Sequence, residues 1–305
     1  MSTPVAFIVF NRPETTLRVL AAIRAYRPHM LLVVADGPRI ARLDEVERCR
    51  AVQAIIDQGV DWPCEVRRCV SAVNLGCRYR LASGIDWVFS QVEEAIILED
   101  DCLPHPSFFA YCDELLARYR DDERVGMISG DQFLPRRHVA SYRFSAYGHI
   151  WGWASWRRAW RHYDVNLADW PQRRREDWLN SHRRNSDEAW FWREQFDRVY
   201  SGLVNTWDYQ WTYACWKSGQ MAILPEVNLI SNIGFAMDAT HTTALNHPLA
   251  NLPTAAMDMP LRHPEMIACD IDADLIAWRN VFRGGICARA RRSIARMAWR
   301  MGLNS

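Results

Sequence analysis

The sequence has almost no lysine: its 37 basic residues are 36 Arg and one Lys, Lys217. It has nine Cys but no C-x-x-C pair, and the tightest spacings are Cys64 to Cys69 and Cys69 to Cys77. A structural zinc site or a disulfide framework needs closer, paired spacing, so the cysteines read as scattered reduced thiols. No apolar run approaches the roughly 20 residues of a membrane-spanning helix. The N-terminal apolar run, Val5 to Phe10, is only six residues and follows no basic segment, which does not read as a secretion signal. A formal charge of +1 lacks the positive field on which bulk nucleic-acid binding depends. No G-x-G-x-x-G follows the first apolar run and no G-x-x-x-x-G-K-[ST] is present, which excludes the common dinucleotide and P-loop signatures.

What is there is a chain of 305 residues, 49% hydrophobic, long enough to bury a full core. The reading is a soluble, bacterial, cytoplasmic protein. The arginine excess reads as codon bias of a GC-rich genome. The tryptophans are harder to dismiss: 11 of the 15 fall between Trp151 and Trp216.

The first 130 residues alternate strand and helix. Short apolar runs at 4–10, 31–35 and 95–98 read as strands of a buried parallel sheet, with further strands at about 65–70 and at 125–129. Between them, helical periodicity covers 43–57, 78–91 and 106–119, and Asn11 with Pro13 offers a cap and first turn for another helix. Repeated βα units give right-handed crossovers and a mostly parallel sheet. From 131 to about 250 the sequence is Trp-rich and irregular, with helices expected at 155–163, 186–200 and 206–218 and a strand at 225–233. Beyond 250 the pattern fades until an Arg-rich, acid-free stretch, 279–301, with a rough helical stripe.

Ligands of such sheets bind beyond the carboxyl ends of the strands. There the sequence places Asn11 and Arg12, Asp36 and Gly37, Asn74 and Gly76, and Glu99-Asp100-Asp101. Three adjacent acids repel one another and are tolerable where a divalent cation or a bound nucleotide offsets them. Hard cations such as Mn²⁺ or Mg²⁺ take carboxylate oxygens and also bind diphosphates. A plain solvated acidic turn is the alternative, and Asp121-Asp122-Glu123 reads as one.

Leu98-Glu99-Asp100-Asp101 after a fourth apolar strand resembles the metal-binding DXD-type motif of GT-A glycosyltransferases. VAFIVFNRPET, LLVVADGP, RYRLASGIDWVF with AIILEDDCLPHPSFFAY, GWASWRRAW, TWDYQW and NLISNIGF with Thr240-His241 are similar, in order over residues 4–245, to the N-acetylglucosaminyltransferase I group and to bacterial haemolysin-like glycosyltransferase proteins. The resemblance implies an α/β fold of GT-A type, with a Rossmann-like, mostly parallel central sheet and an irregular Trp-rich acceptor half: a nucleotide-sugar half (1–130) and a donor-sugar and acceptor half of the same domain (131–250). It offers no counterpart for the rest, which the sequence itself reads as a C-terminal extension with a basic helical tail (251–305). The resemblance further implies an inverting, metal-dependent transferase moving a sugar, GlcNAc among the candidates, from a UDP-sugar to a carbohydrate hydroxyl in bacterial surface glycan synthesis.

Residue by residue, the resemblance gives Asp101 the Mn²⁺ or Mg²⁺, Asp100 the ribose or a metal-bound water, and Glu99 the donor sugar. Arg12 takes the diphosphate, for which its fork of donors is suited. Asp36, with Gly37 after it, accepts from the uracil ring, and Arg78 stands where the family has a base-contacting His. Trp153, in the Gly152-Trp153 pair, lines the donor sugar together with Trp207. Asp208 is the base that takes the acceptor proton; the family's second acid is Tyr209 here.

Alternatives stay open at several of these positions. Asp208 or Thr206 could cap a helix. Most of the Trp residues could be core. His241 reads either as a diphosphate or metal contact on a closing loop or as a surface His. The tail from Arg279 reads as a helix packed on the body or as a peripheral contact with the inner face of the membrane, where a lipid-linked saccharide would be the acceptor. A different class also fits: a non-catalytic carbohydrate- or partner-binding protein on a degenerate GT-A fold. A nucleotidyltransferase would carry a Gly-rich basic N-terminal loop, which Phe10-Asn11-Arg12-Pro13-Glu14-Thr15-Thr16 is not.

Overall fold

The computed structural model describes residues 2–136, 139–182, 185–235 and 249–282. His241 and all but the first residues of the basic tail lie outside them.

Three largely apolar segments and one mixed one form adjacent parallel strands: β1 (Val5–Val9), β2 (Met30–Ala35) and β4 (Glu94–Glu99), with β3 (Glu65–Val70) carrying Glu65, Arg67 and Arg68. β3 alternates and is half exposed, as an edge strand should be. The crossovers are α1 (Pro13–Tyr26), α2 (Leu43–Gly59) and α3 (Gly76–Gln91). Arg12, not Asn11, takes the cap position of α1, and no side chain caps it; Pro13 opens the first turn as expected. β5 (Cys102–Pro104), α4 (Ser107–Arg118) and β6 (Val125–Ser129) complete the first half.

The second half adds strands to the same sheet. β7 (Tyr142–Ser145) and β8 (Trp153–Trp156) precede a single helical turn, α5 (Arg157–Trp160). The helix expected over 155–163 is thus a short strand and one turn. Short helices α6 (Trp170–Arg175) and α7 (Trp178–His182) lead to α8 (Ser186–Tyr200) and α9 (Asp208–Lys217). The strand expected over 225–233 is two, β9 (Met221–Pro225) and β10 (Ile230–Asn232), and β10 pairs with β5 in a separate ribbon. The break falls where Glu226 turns inward to face Arg143 at 3.3 Å. A helix absent from the sequence reading, α10 (Ile271–Ala277), is capped by Asp270 and pinned under β7, where Asp274 accepts from Ser145 Oγ at 2.6 Å.

Among the described residues the main sheet has eight strands in the order β3-β2-β1-β4-β8-β6-β9-β7. β8 enters antiparallel between β4 and β6, and β7 closes the far edge antiparallel to β9; the other six strands point the same way. This mainly parallel, Rossmann-like sheet is the GT-A type of architecture that the sequence led us to expect. Helices α1, α2 and α4 cover one face with an aliphatic and Phe-rich core. α3 and α9 cover the other with Trp153, Trp160, Trp207 and Trp211. A third cluster around Trp170, Trp178, Trp192 and Trp216 holds α6–α10 together. Among the described residues, no helix is long and apolar enough to cross a membrane.

Candidate active site

The carboxyl ends of β1–β4 open on a cleft of about 330 Å³, within the usual range for a small-molecule site. Its floor is the end of β1, with Phe10 and Arg12, and the end of β4, with Glu99, Asp100 and Asp101. Asp36, Arg39, Asn74 and Arg80 line one side; Ile150, Trp151, Thr206, Trp207, Asp208 and Asn232 line the other. The acids expected from the sequence therefore meet in one place.

Arg12 anchors the floor. Its Nη1 donates to Asp101 Oδ2 at 2.6 Å and stands 3.5 Å from Asp100 Oδ1. Burial alone would discourage its charge; Asp100, Asp101 and Glu99 together outweigh burial and hold it more firmly protonated. Asp100 Oδ2 accepts from the Phe10 N–H at 3.1 Å, which ties β4 to β1. Burial, then Asp101 and Asp100, push the Glu99 carboxyl up to about 8, with Arg12 opposing and Asp208 adding to the rise. Asp100 is pushed up to about 7, again mainly by burial, with Arg12 opposing. Repulsion adds to burial here, since among the described residues the lining holds five carboxylates and three guanidiniums.

That imbalance tests the fit of a divalent cation. Among the described residues, no three His, Cys, Asp or Glu side chains form a group able to hold a metal alone. Mg²⁺ and Mn²⁺ sites built around phosphates need only one or two protein carboxylates, the remaining ligands being phosphate oxygens and water. Asp101, with hard oxygens at an acid-rich cleft, fits that kind of site. A divalent cation would offset two of a diphosphate's negative charges and so lessen its repulsion by this acid-rich lining.

Asp208 is the first residue of α9 and lines the cleft, near enough to Glu99 to help push its carboxyl up. Its Oδ1 accepts from Thr206 Oγ1. Trp207, not Asp208, occupies the cap position and makes no side-chain cap bond, so the carboxylate is not spent as an N-cap. Tyr209 turns away from the cleft and packs against Trp192, with ring centroids 5.9 Å apart. Burial and Asp208 push its phenol up to about 12.

Several expected contacts are placed differently. Arg78 is buried behind α3 and donates to the carbonyls of Val199 and Val165, at 3.2 and 2.6 Å, so it cannot also reach a base in the cleft. Arg80 lines the cleft instead, and donates to Cys69 O at 2.5 Å. Residues two apart on a helix point about 200° away from each other, which the motif alone does not resolve. Asp36 lines the cleft, but Gly37 and Leu75 N–H donate to its Oδ1, and Gly76 N–H and Asn74 Nδ2 to its Oδ2, at 2.9–3.0 Å. A carboxylate offers about four lone-pair sites, so the bond expected to a uracil ring has none left in this conformation. Burial still raises its pKa above the ordinary value, against the pull of these donors. Gly37 is a packing residue: a Cβ there would come within 2.6 Å of the Val73 backbone.

Trp153 is also not in the lining. It is 1% exposed and packs with Trp160, Trp207 and Trp211 under the sheet. Trp151 lines the cleft in its place. Between them Gly152 has φ +61°, a left-handed turn that sends the two indoles to opposite faces of the sheet. Gly234 packs so tightly on Asp101 that a Cβ would sit 2.1 Å from its Oδ2. The sequence offered signals for Trp151 and Gly234, a glycine between two tryptophans and a glycine after a strand, but no means of reading their direction.

No protein-family model matches the chain, and no curated protein sequence matches it. Among solved structures it is similar to a UDP-glucose pyrophosphorylase complexed with UDP-glucose, at 12% identity and TM-score 0.29 over 49% of this chain and 64% of that one. It is similar to residues 1–349 of TarS from S. aureus at 10% identity and TM-score 0.36, over 55% of this chain and 51% of that one. The chain thus spans less than two thirds of the length of either.

Proposed function

We propose that the protein is a nucleotide-sugar-dependent glycosyltransferase that inverts the anomeric centre. The observation that carries the reading is the meeting of Arg12 and the Glu99–Asp101 acids with Asp208 across one strand-end cleft. The donor is a UDP-sugar, and the acceptor a saccharide or lipid-linked saccharide of a bacterial surface glycan. The half 1–130 holds the nucleotide, 131–250 holds sugar and acceptor, and the extension 251–305 is a third segment, of which 251–282 is described.

In the transfer step Asp208 takes the proton of the acceptor hydroxyl as that oxygen bonds to the anomeric carbon. The bond from that carbon to the diphosphate oxygen breaks, and its electron pair leaves with UDP. Arg12 neutralises part of the charge that gathers there. A divalent cation at Asp101 would supply further charge neutralisation of the leaving group. The aromatic wall of Trp151 and Trp207 keeps water from the reacting carbon.

Titration with UDP and Mn²⁺ by calorimetry tests the reading. Binding is expected in the wild type and is lost in Asp101→Ala. No binding of UDP or a UDP-sugar by the wild type, with or without Mn²⁺, refutes the nucleotide-sugar assignment and favours a non-catalytic binding protein.

A further inference from the structure

Sheet order fixes the order of side chains across the cleft. Running from the β3 edge through β2, β1 and β4 to β8, the strands deliver Asn74, Asp36, Phe10 with Arg12, Glu99 to Asp101, and then Ile150 with Trp151. Strands lie about 4.8 Å apart, so Trp151 stands about 14 Å from Asp36 and one step past Asp101. A nucleotide whose base lies at the Asp36 loop and whose diphosphate lies at Arg12 therefore points its next unit at Trp151.

Three aromatic rings line the cleft, and two are already covered. The Arg39 guanidinium lies over Phe10, 5.8 Å from the ring centroid. Trp207 is 2% exposed and stacked on Trp153 at 5.6 Å and 23°. Trp151 is half-buried, and among the described residues no ring lies parallel to it. Phe133 and Phe235 meet it at 75° and 85°, with centroids 5.3 and 5.6 Å away. Phe133 is itself stacked on His149 at 4.5 Å, and His149 Nδ1 is 3.3 Å from the buried Asp131 Oδ2. Trp151 is thus braced from two loops while still facing the cleft. Beside it, Asn232 also lines the cleft; its Oδ1 accepts from Gly234 N–H at 2.9 Å, and the other end of its amide carries two donors.

We propose that Trp151 is the platform on which a pyranose ring rests at the transfer end of the cleft, with the Asn232 amide donating to one of its hydroxyls. This rests on the nucleotide-sugar reading above. An indole face suits the C–H face of a pyranose, and one oriented polar neighbour fixes which hydroxyl pattern fits. The pyranose is that of the donor or that of the acceptor, and the two are separable. UDP, UDP-glucose and UDP-N-acetylglucosamine are titrated with Mn²⁺ into the wild type, Trp151→Ala and Trp151→Phe. The methyl glycosides of glucose, galactose and mannose are then titrated into each UDP-loaded protein.

Trp151→Ala should bind UDP as the wild type does. A roughly tenfold loss confined to UDP-sugars places the donor ring on Trp151, and a similar loss confined to the glycosides places the acceptor ring there. Trp151→Phe should recover most of either loss. Melting temperatures of the variants identify any that have lost the fold. If the wild type binds no UDP, the nucleotide-sugar reading fails and the platform with it. If the wild type binds UDP and a UDP-sugar but Trp151→Ala matches it for every ligand, or loses UDP in the same proportion, the platform alone is overturned.

Discussion

The two halves of the molecule handle buried charge in opposite ways. In the Trp-rich half most buried charges are met inside the protein: Arg143 faces Glu226 at 3.3 Å with both side chains 4% exposed or less, Tyr147 donates to buried Glu188 at 2.6 Å, and buried Asp131, raised by burial, has only His149 beside it. At the ends of β1–β4 the acids outnumber their partners, and Glu99 and Asp100 are held far above the ordinary carboxylate range. Tryptophan shows the same division: Trp153, Trp160 and Trp211 are buried against one another, while Trp151 faces the cleft. Paired groups build the body, and under-compensated groups mark where something else must bind.

The largest effect should come from Asp208→Asn. Loss of a general base costs about 10²–10⁴-fold in turnover. Transfer should fall by that factor while UDP-sugar affinity holds, and unchanged turnover would remove Asp208 from the mechanism. In the body, Arg143→Met takes the guanidinium from buried Glu226 and should destabilise by about 3–5 kcal/mol in denaturant unfolding. The double variant Arg143→Met, Glu226→Leu should recover most of that. Similar costs for the single and double variants would break the contrast between the halves.

Trp153→Ala should open a core cavity and cost about 3–5 kcal/mol. Trp151→Ala should cost clearly less in the same experiment, and equal losses would make both indoles core. Gly234→Ala forces a Cβ onto Asp101 and should weaken Mn²⁺-dependent UDP binding with little change in melting temperature. Binding equal to wild type would show that Asp101 has room to move.

A pH series tests the acid cluster directly. With Glu99 near 8 in the fold against an ordinary 4.5, the folded state holds a proton that the unfolded chain lacks between those values. Stability of the ligand-free protein should therefore decline as pH rises from about 5 to about 8. Glu99→Gln cannot ionise, so it should raise the melting temperature at pH 8 more than at pH 5. An equal change at both would mean that Glu99 is not strained.

The strands β1, β2 and β4 were legible because buried parallel strands read as unbroken apolar runs with polar ends, and their ends carried the acids with them. β8 was not, because four residues with two tryptophans have no periodicity long enough to tell strand from helix. Arg78 and Trp153 were named where Arg80 and Trp151 face the cleft, since a motif gives position along the chain but not the direction set by a helix turn or by Gly152. Asp36 was found as a cleft residue, but the four donors that fill its oxygens come from backbone and Asn74 geometry that no spacing reveals.

The antiparallel entry of β8 between β4 and β6 has a consequence for biosynthesis. Until residue 156 has left the ribosome, the long edge of β4 has no neighbour on that side, and β4 carries four buried apolar residues. A nascent chain or fragment ending near 130 would present that edge as a template for pairing with other chains. The first 130 residues should accumulate in inclusion bodies when expressed alone, and the cleft should acquire its shape only after the tryptophans arrive.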